Sequence, residues 1–265
     1  MSSKNKQGKA LITGASTGIG AVYADRLAKR GYDLILVARD EAKLNLVANQ
    51  LKSEHGVSVD VIAADLTSKV ALEQIENLLR SDGSISLLVN NAGLGAVTKL
   101  AESNIDEIET MISLNVIALT RLSAAITPRL IARGNGAIIN IASIVALAPE
   151  LLNGAYSGSK AYVVNFTQSM HHELTGKGIR VQAVLPGAID TPFWDKSGLP
   201  VNNLPSQIVM NPEVLVDAAL AGFDLGEVIT IPSLPNIEDW QALEAARKAL
   251  APNLSYTTPA SRYLS

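Results

Sequence analysis

The 265-residue chain has no cysteine, which excludes disulfide cross-links and a thiol nucleophile. Its only histidines are His55, His171 and His172, and the last two, being adjacent, point to different sides of a helix. No His/Asp/Glu group has metal-ligand spacing, so no metal is expected. No basic block breaks a net charge of −3, which argues against nucleic acid and an anionic membrane as partners. The longest apolar runs, such as Leu34 to Ala38, are far too short to span a bilayer. The start, Met1 to Gln7, is polar and lacks an apolar h-region, so a secretory signal is not expected. The lack of cysteine is compatible with the cytosol, and a cytoplasmic protein is expected. Repeats, low-complexity segments and linkers are also missing.

What is present points to one α/β architecture. Hydrophobic residues make up 48% of the chain, enough to bury a sheet on both faces. Short apolar runs alternate with amphipathic stretches: Ala10–Thr13, Leu34–Ala38, Val57–Ala63, Leu87–Asn90, Ala137–Ile141, Val181–Leu185 and Val228–Ile231. This alternation predicts βαβ units in a seven-stranded parallel sheet with helices on both faces. Right-handed crossovers then give a doubly wound sheet whose ligand lies at the strand C-termini. The length suits one domain over residues 1–265. A proline-punctuated stretch at about 189–212 reads as a lid or binding loop, and about 251–265 as a tail of little periodicity.

Two local patterns carry chemistry. After the first run comes Gly14-Ala15-Ser16-Thr17-Gly18-Ile19-Gly20, and then a helical pattern. A strand, a glycine-rich turn and a helix N-terminus form an anion site. Farther on, Tyr156 and Lys160 stand four apart at the start of a predicted helix, so phenol and ammonium share one face. A neighbouring cation favours the phenolate and lowers its pKa, which suits proton transfer at an alcohol or carbonyl oxygen.

Together these residues resemble the short-chain dehydrogenase/reductase family. Thr13 to Gly20 matches its Thr-Gly-x-x-x-Gly-x-Gly, and Asn90-Asn91-Ala92-Gly93 its Asn-Asn-Ala-Gly. Asn115, Ser143, Tyr156 and Lys160 match its catalytic tetrad, and Pro186-Gly187 with Thr191 its motif after the sixth strand. The resemblance covers roughly residues 8 to 231 and implies a single Rossmann domain. It implies that Tyr156 is the proton donor in carbonyl reduction and that Ser143 holds the substrate oxygen. Lys160 would lower the tyrosine pKa and bind the nicotinamide ribose, and Asn115 would support a water linked to Lys160. Cofactor contacts carried over are Gly14, Ser16, Thr17, Gly18, Ile19, Gly20, Asp65 near the adenine, Leu66, Asn91, Ala92, Gly93, Pro186 and Gly187, with Ile189 and Thr191 at the carboxamide.

The second strand ends Ala38-Arg39-Asp40. An acid at the strand end would select NAD. Here the family position matches small, neutral Ala38, and Arg39 can pair with a 2′-phosphate. NADP(H) is therefore expected over NAD(H), although Thr17 stands where many NADP-binding members carry a basic residue. Phe193, Trp194, Leu199, Val201, Leu204 and Met210 make the lid apolar, with Leu94, Val145, Leu151 and Leu152 flanking it and Glu150 as the one nearby charge. A carbonyl or secondary alcohol on an apolar small molecule is the expected substrate. Enoyl reduction on the same fold and a non-catalytic dinucleotide sensor are the alternatives; the tight Tyr156–Lys160 spacing and the complete tetrad disfavour them. Surplus apolar positions on the helices Ile105–Ile131 and Tyr156–Thr175, including Val163, Val164, Phe166, Met170, Ile112 and Val116, predict a homodimer or homotetramer.

Overall fold

The computed structural model describes residues 7–194 and 200–264. Six strands follow the predicted runs: β1 (Lys9–Thr13), β2 (Asp33–Ala38), β3 (Val59–Ala63), β4 (Ile85–Asn90), β5 (Gly136–Ile141) and β6 (Ile179–Val184). Two short strands, β7 (Ala188–Ile189) and β8 (Val209–Met210), precede β9 (Ile229–Thr230). The helices are α1 (Gly18–Lys29), α2 (Glu41–His55), α3 (Lys69–Ser81), a continuous α4 (Ile105–Arg133), α5 (Gly154–Leu174), α6 (Pro212–Leu225) and α7 (Ile237–Leu250).

The main sheet has seven parallel strands in the order β3-β2-β1-β4-β5-β6-β9. Strand order reverses between β1 and β4, which opens a crevice at their C-terminal ends. Side chains alternate across the pleat. Ala10, Ile12, Leu34, Leu36, Leu87 and Val89 pack with α1, α2 and α6. Leu11, Ile35, Val37 and Leu88 pack with α3, α4 and α5 on the other face. Each fully buried Leu or Ile contributes roughly 1.5–3 kcal/mol, so this two-faced aliphatic interior dominates stability. The apolar content of α4 matches that of a membrane-crossing segment in length and composition. Here Leu122, Ala125, Ile126 and Leu130 of that helix are buried in the core.

A polar ladder crosses the buried interior. Asn90 Nδ2 donates to Ser123 Oγ at 3.0 Å and Asn140 Oδ1 at 2.9 Å. Asn140 Nδ2 donates to Thr167 Oγ1 at 2.9 Å, which donates to Val163 O at 2.7 Å. It joins β4 and β5 to α4 and α5 just below the crevice.

The chain divides into two compact units, one ending at Pro232 and the other running Ser233–Ser265. The expectation of one domain over 1–265 treated both as one. In the second unit, α7 has acidic Glu238 and Asp239 in its first turn and basic Arg247 and Lys248 in its last, matching the helix dipole. Short 3-10 turns at Ala251–Asn253 and Ser261–Tyr263 follow where a featureless tail was expected.

Candidate active site

A cavity of about 700 Å³ lies over the crevice and runs from Arg39 to Ile208. At one end lie Gly14, Ser16, Thr17, Gly18 and Ile19, between β1 and α1. Thr17 precedes the helix without a side-chain capping bond, and the first turn carries no acid. Its orphan N–H groups and dipole therefore favour an anion. Asn91 braces this turn from β4: its Nδ2 donates to Thr13 O at 2.9 Å and Gly14 O at 3.1 Å. In return Thr13 Oγ1 accepts from the N–H groups of Asn91 and Ala92, both at 3.0 Å. Gly20 does not line the cavity, contrary to expectation; a Cβ there would overlap Gly14 O and crowd Asn91 Nδ2, so this glycine serves helix–strand contact.

Ala38, Arg39, Asp65 and Leu66 line the same end. Arg39 makes no hydrogen bond or ion pair among the described residues, whereas Asp40 caps α2 by accepting from Lys43 N at 3.0 Å. Burial raises the Asp65 carboxyl, but hydrogen bonds from Thr67 and the charge of Arg39 outweigh it and hold the group below its ordinary range. The turn, the unpaired cation and small Ala38 together fit a dinucleotide with a 2′-phosphate.

Ser143, Tyr156 and Lys160 meet at the middle of the cavity. Asn153 caps α5 by accepting from Ala155 N at 2.8 Å and Tyr156 N at 3.4 Å, which fixes the start of the tyrosine helix. Ser143 leads β5 into a 3-10 turn; its Oγ donates to Pro186 O and accepts from Val145 N, both at 3.4 Å. Lys160 Nζ donates to Ile141 O at 3.0 Å and lies 5.8 Å from the centre of the Tyr156 ring.

The expected lowering of the tyrosine pKa is not found here. Burial pushes the Tyr156 phenol up to about 12, only partly opposed by the Ser143 hydroxyl. Burial also pushes the Lys160 ammonium down to about 8. Desolvation disfavours both charged forms, and the cation turns to a carbonyl instead of the phenol oxygen.

Asn115 sits in a π-helical turn of α4, Ser113–Ala118, a feature frequent at functional sites. It does not line the cavity. Its Oδ1 accepts from Leu94 N and its Nδ2 donates to Leu94 O, both at 2.9 Å, with a further bond to Ser159 Oγ at 3.2 Å. It therefore clamps the loop after β4 to α5.

The far end is apolar. Leu94, Val145, Leu151, Leu152, Phe193, Trp194, Leu204 and Ile208 line it. Trp194 Nε1 donates to Ile189 O at 2.8 Å, and its ring meets Phe193 edge-on at 5.7 Å. A Cβ on Gly95 would overlap the Phe193 ring, which stands 6.3 Å from that of Tyr156. Gly93, Pro186, Gly187, Ile189 and Thr191 line the passage between the two ends. Glu150 is exposed and does not line the cavity, nor do Val201 and Met210; Met210 pairs with Ile189 between β8 and β7. Leu199 lies outside the described residues.

Sequence reading missed Asn153, Asn91 as a brace, and Ile208. It also missed Asp25, Glu54 and His55, whose ligand-type atoms lie within 4.8 Å of one another. These come from distant segments; His55 Nε2 bonds Asp25 at 2.8 Å and Arg26 bonds it at 2.5 Å, an ion-pair network.

The profile of the short chain dehydrogenases matches residues 8–200. A short-chain dehydrogenase from Sphingobium yanoikuyae, solved in complex with NADPH, superposes with a TM-score of 0.94 at 46% identity, over 97% of this chain and 99% of that one. The bulky-bulky ketone specific alcohol dehydrogenase from Comamonas testosteroni superposes at 0.91 and 44% identity, over 98% and 100%. By sequence, the very-long-chain 3-oxoacyl-CoA reductase of Bos taurus is 34% identical over 71% of this chain, which spans 63% of that relative's length.

Proposed function

The chain belongs to the short-chain dehydrogenase/reductase family, and from that membership we propose that it is an NADPH-dependent reductase of bulky, apolar ketones or aldehydes, and in reverse an alcohol dehydrogenase. One observation carries the reading: the phenol of Tyr156 and the hydroxyl of Ser143 open into a single cavity, with a turn and an unpaired Arg39 at one end and an aliphatic–aromatic wall at the other.

Residues of the turn, Asn91 to Gly93, Pro186, Gly187, Ile189 and Thr191 would hold the dinucleotide, and Arg39 would receive its 2′-phosphate. When bound, NADPH supplies the hydride to the carbonyl carbon. Ser143 donates a hydrogen bond to the carbonyl oxygen and orients it. Tyr156, neutral because its pKa is about 12, gives that oxygen its proton. The Lys160 ammonium, held within the site, favours the phenolate left behind. Asn115 holds the neighbouring backbone at Leu94 and bonds Ser159 Oγ, one residue before Lys160.

The test is NADPH oxidation with a panel of carbonyls graded in bulk. Turnover of aryl or long-chain ketones above small ones supports the reading. Binding of NADPH without turnover of any member overturns it in favour of a sensor.

Assembly as a homodimer is part of the proposal, on a smaller patch than the sequence suggested. Val163, Val164 and Met170 are buried within the chain itself, which leaves Ile112, Ile117 and Tyr162 exposed. Tyr162 stacks on Phe166 at 5.6 Å and bonds Thr120 at 2.8 Å. Light scattering at micromolar concentration should give at least twice 27.9 kDa.

A further inference from the structure

We propose that Asn153 is a positioning residue that sets the substrate-side wall of the cavity relative to Tyr156. It is buried, lines no part of the cavity, and uses both ends of its amide. The Oδ1 end caps α5 three residues before Tyr156. The Nδ2 end donates to Thr98 O at 2.5 Å and to Ser103 Oγ at 3.1 Å. Ser103 Oγ in turn donates to Thr98 O at 3.1 Å and Lys99 O at 2.9 Å. The amide thus joins the loop after β4 to the first turn of the tyrosine helix.

Beyond Ala92, which Thr13 holds, two side-chain anchors among the described residues secure that loop. Asn115 fixes Leu94 through both backbone groups, and Asn153 with Ser103 fixes Thr98 and Lys99. Between them lies Gly95, against which the Phe193 ring is packed. Leu94, Gly95 and Phe193 all line the substrate end. Releasing the Thr98 anchor lets the Gly95 segment move against Phe193 and changes the room in front of the phenol. The cofactor end, held by Asn91 and Thr13, is untouched by this anchor. The Nδ2 anchor of Asn153 therefore governs the fit of the substrate, apart from cofactor binding and from the Oδ1 cap that serves Tyr156. This rests on the carbonyl-reductase reading for its enzymatic half only.

Asn153→Asp keeps the capping acceptor and removes both donors; Asn153→Ser keeps a smaller cap without adding charge. Hydrogen exchange of the 94–104 loop, followed in the whole protein without substrate, should speed up in both variants while exchange of the 14–20 turn stays unchanged. KM for a bulky ketone should rise about 5–10-fold, the worth of roughly one lost hydrogen bond. KM for a small ketone, the NADPH dissociation constant and the pH profile of kcat should stay within about twofold. Unchanged loop exchange in both variants overturns the proposal, as does faster exchange with KM unaltered for bulky and small ketones alike. A fall in NADPH affinity matching the rise in KM overturns it as well, because the residue then supports the whole site. A wild type inactive on every carbonyl sinks the functional reading, while the exchange measurement still judges the tie.

Discussion

The two ends of the cavity are built by different means. The cofactor end is made from backbone at the tips of β1 and β4, braced by short side-chain bonds from Asn91 and Thr13, with Arg39 at its margin. The substrate end is made from apolar side chains on long connections, with two small anchors behind them. The glycine-rich turn rests on the sheet, whereas the apolar wall rests on loops that can change without disturbing it. Tyr156 stands where the two meet, so its loss is the largest expected effect. Tyr156→Phe should keep the fold and NADPH binding and cut kcat about 10²–10⁴-fold. Stopped-flow or steady-state kinetics beside a cofactor titration checks this, and retention of more than about a tenth of kcat contradicts the assigned donor.

Lys160 tests the same junction from beneath. Its folded pKa lies near 8 against an ordinary 10.5. The folded state then binds fewer protons than the unfolded chain between those values, so stability of the cofactor-free protein rises with pH across that window. Below about pH 8 the buried charge costs up to about 3 kcal/mol at 1.36 kcal/mol per unit. Lys160→Met should raise the melting temperature near pH 7, flatten its pH dependence and abolish most turnover. In wild type, kcat for reduction should fall as pH rises through about 8, since the cation is lost while Tyr156 keeps its proton. A kcat flat from pH 7 to 10 contradicts this role.

A third variant sharpens the contrast from the cofactor end. Arg39→Ala should lower kcat/KM with NADPH about 10–100-fold, the worth of roughly 1.5–3 kcal/mol for a charge-assisted pair, with little change for NADH. Equal losses with both cofactors would make Arg39 a surface residue.

The smallest effect comes from the substrate end. Gly95→Ala forces the Phe193 ring aside, at roughly 1–3 kcal/mol of overpacking. KM for bulky ketones should rise about fivefold or more by that estimate, with NADPH affinity unchanged. A change in NADPH affinity of the same size would erase the distinction between the two ends.

The sequence made some of this plain and hid the rest for physical reasons. Short apolar runs separated by amphipathic stretches announced the sheet, because burial on both faces demands continuous runs such as Leu34–Val37. The cavity-lining residues were legible where a glycine-rich turn enters a helix, as at Ser16 to Ile19. The packing role of Gly20 was not legible, because a close approach to Gly14 O is a tertiary fact. The opposite pKa shift at Tyr156 was hidden because pairing at four-residue spacing is local while desolvation is not. Asn153 left no signal, since its partners Thr98 and Ser103 lie about fifty residues away. The pairing of β7 with β8 escaped notice because two-residue strands carry no periodicity.

The polar ladder from Asn90 through Asn140 to Thr167 has a consequence for anyone redesigning this protein. Its members are buried, and the two asparagine amides each donate to acceptors on another element. Removing one strands its neighbour without water, a cost of about 1–3 kcal/mol. Exchanging linked members together for apolar groups of like shape avoids that penalty. Libraries that vary these four sites one at a time will therefore reject combinations that would fold, and the floor beneath the catalytic group should be sampled as a block.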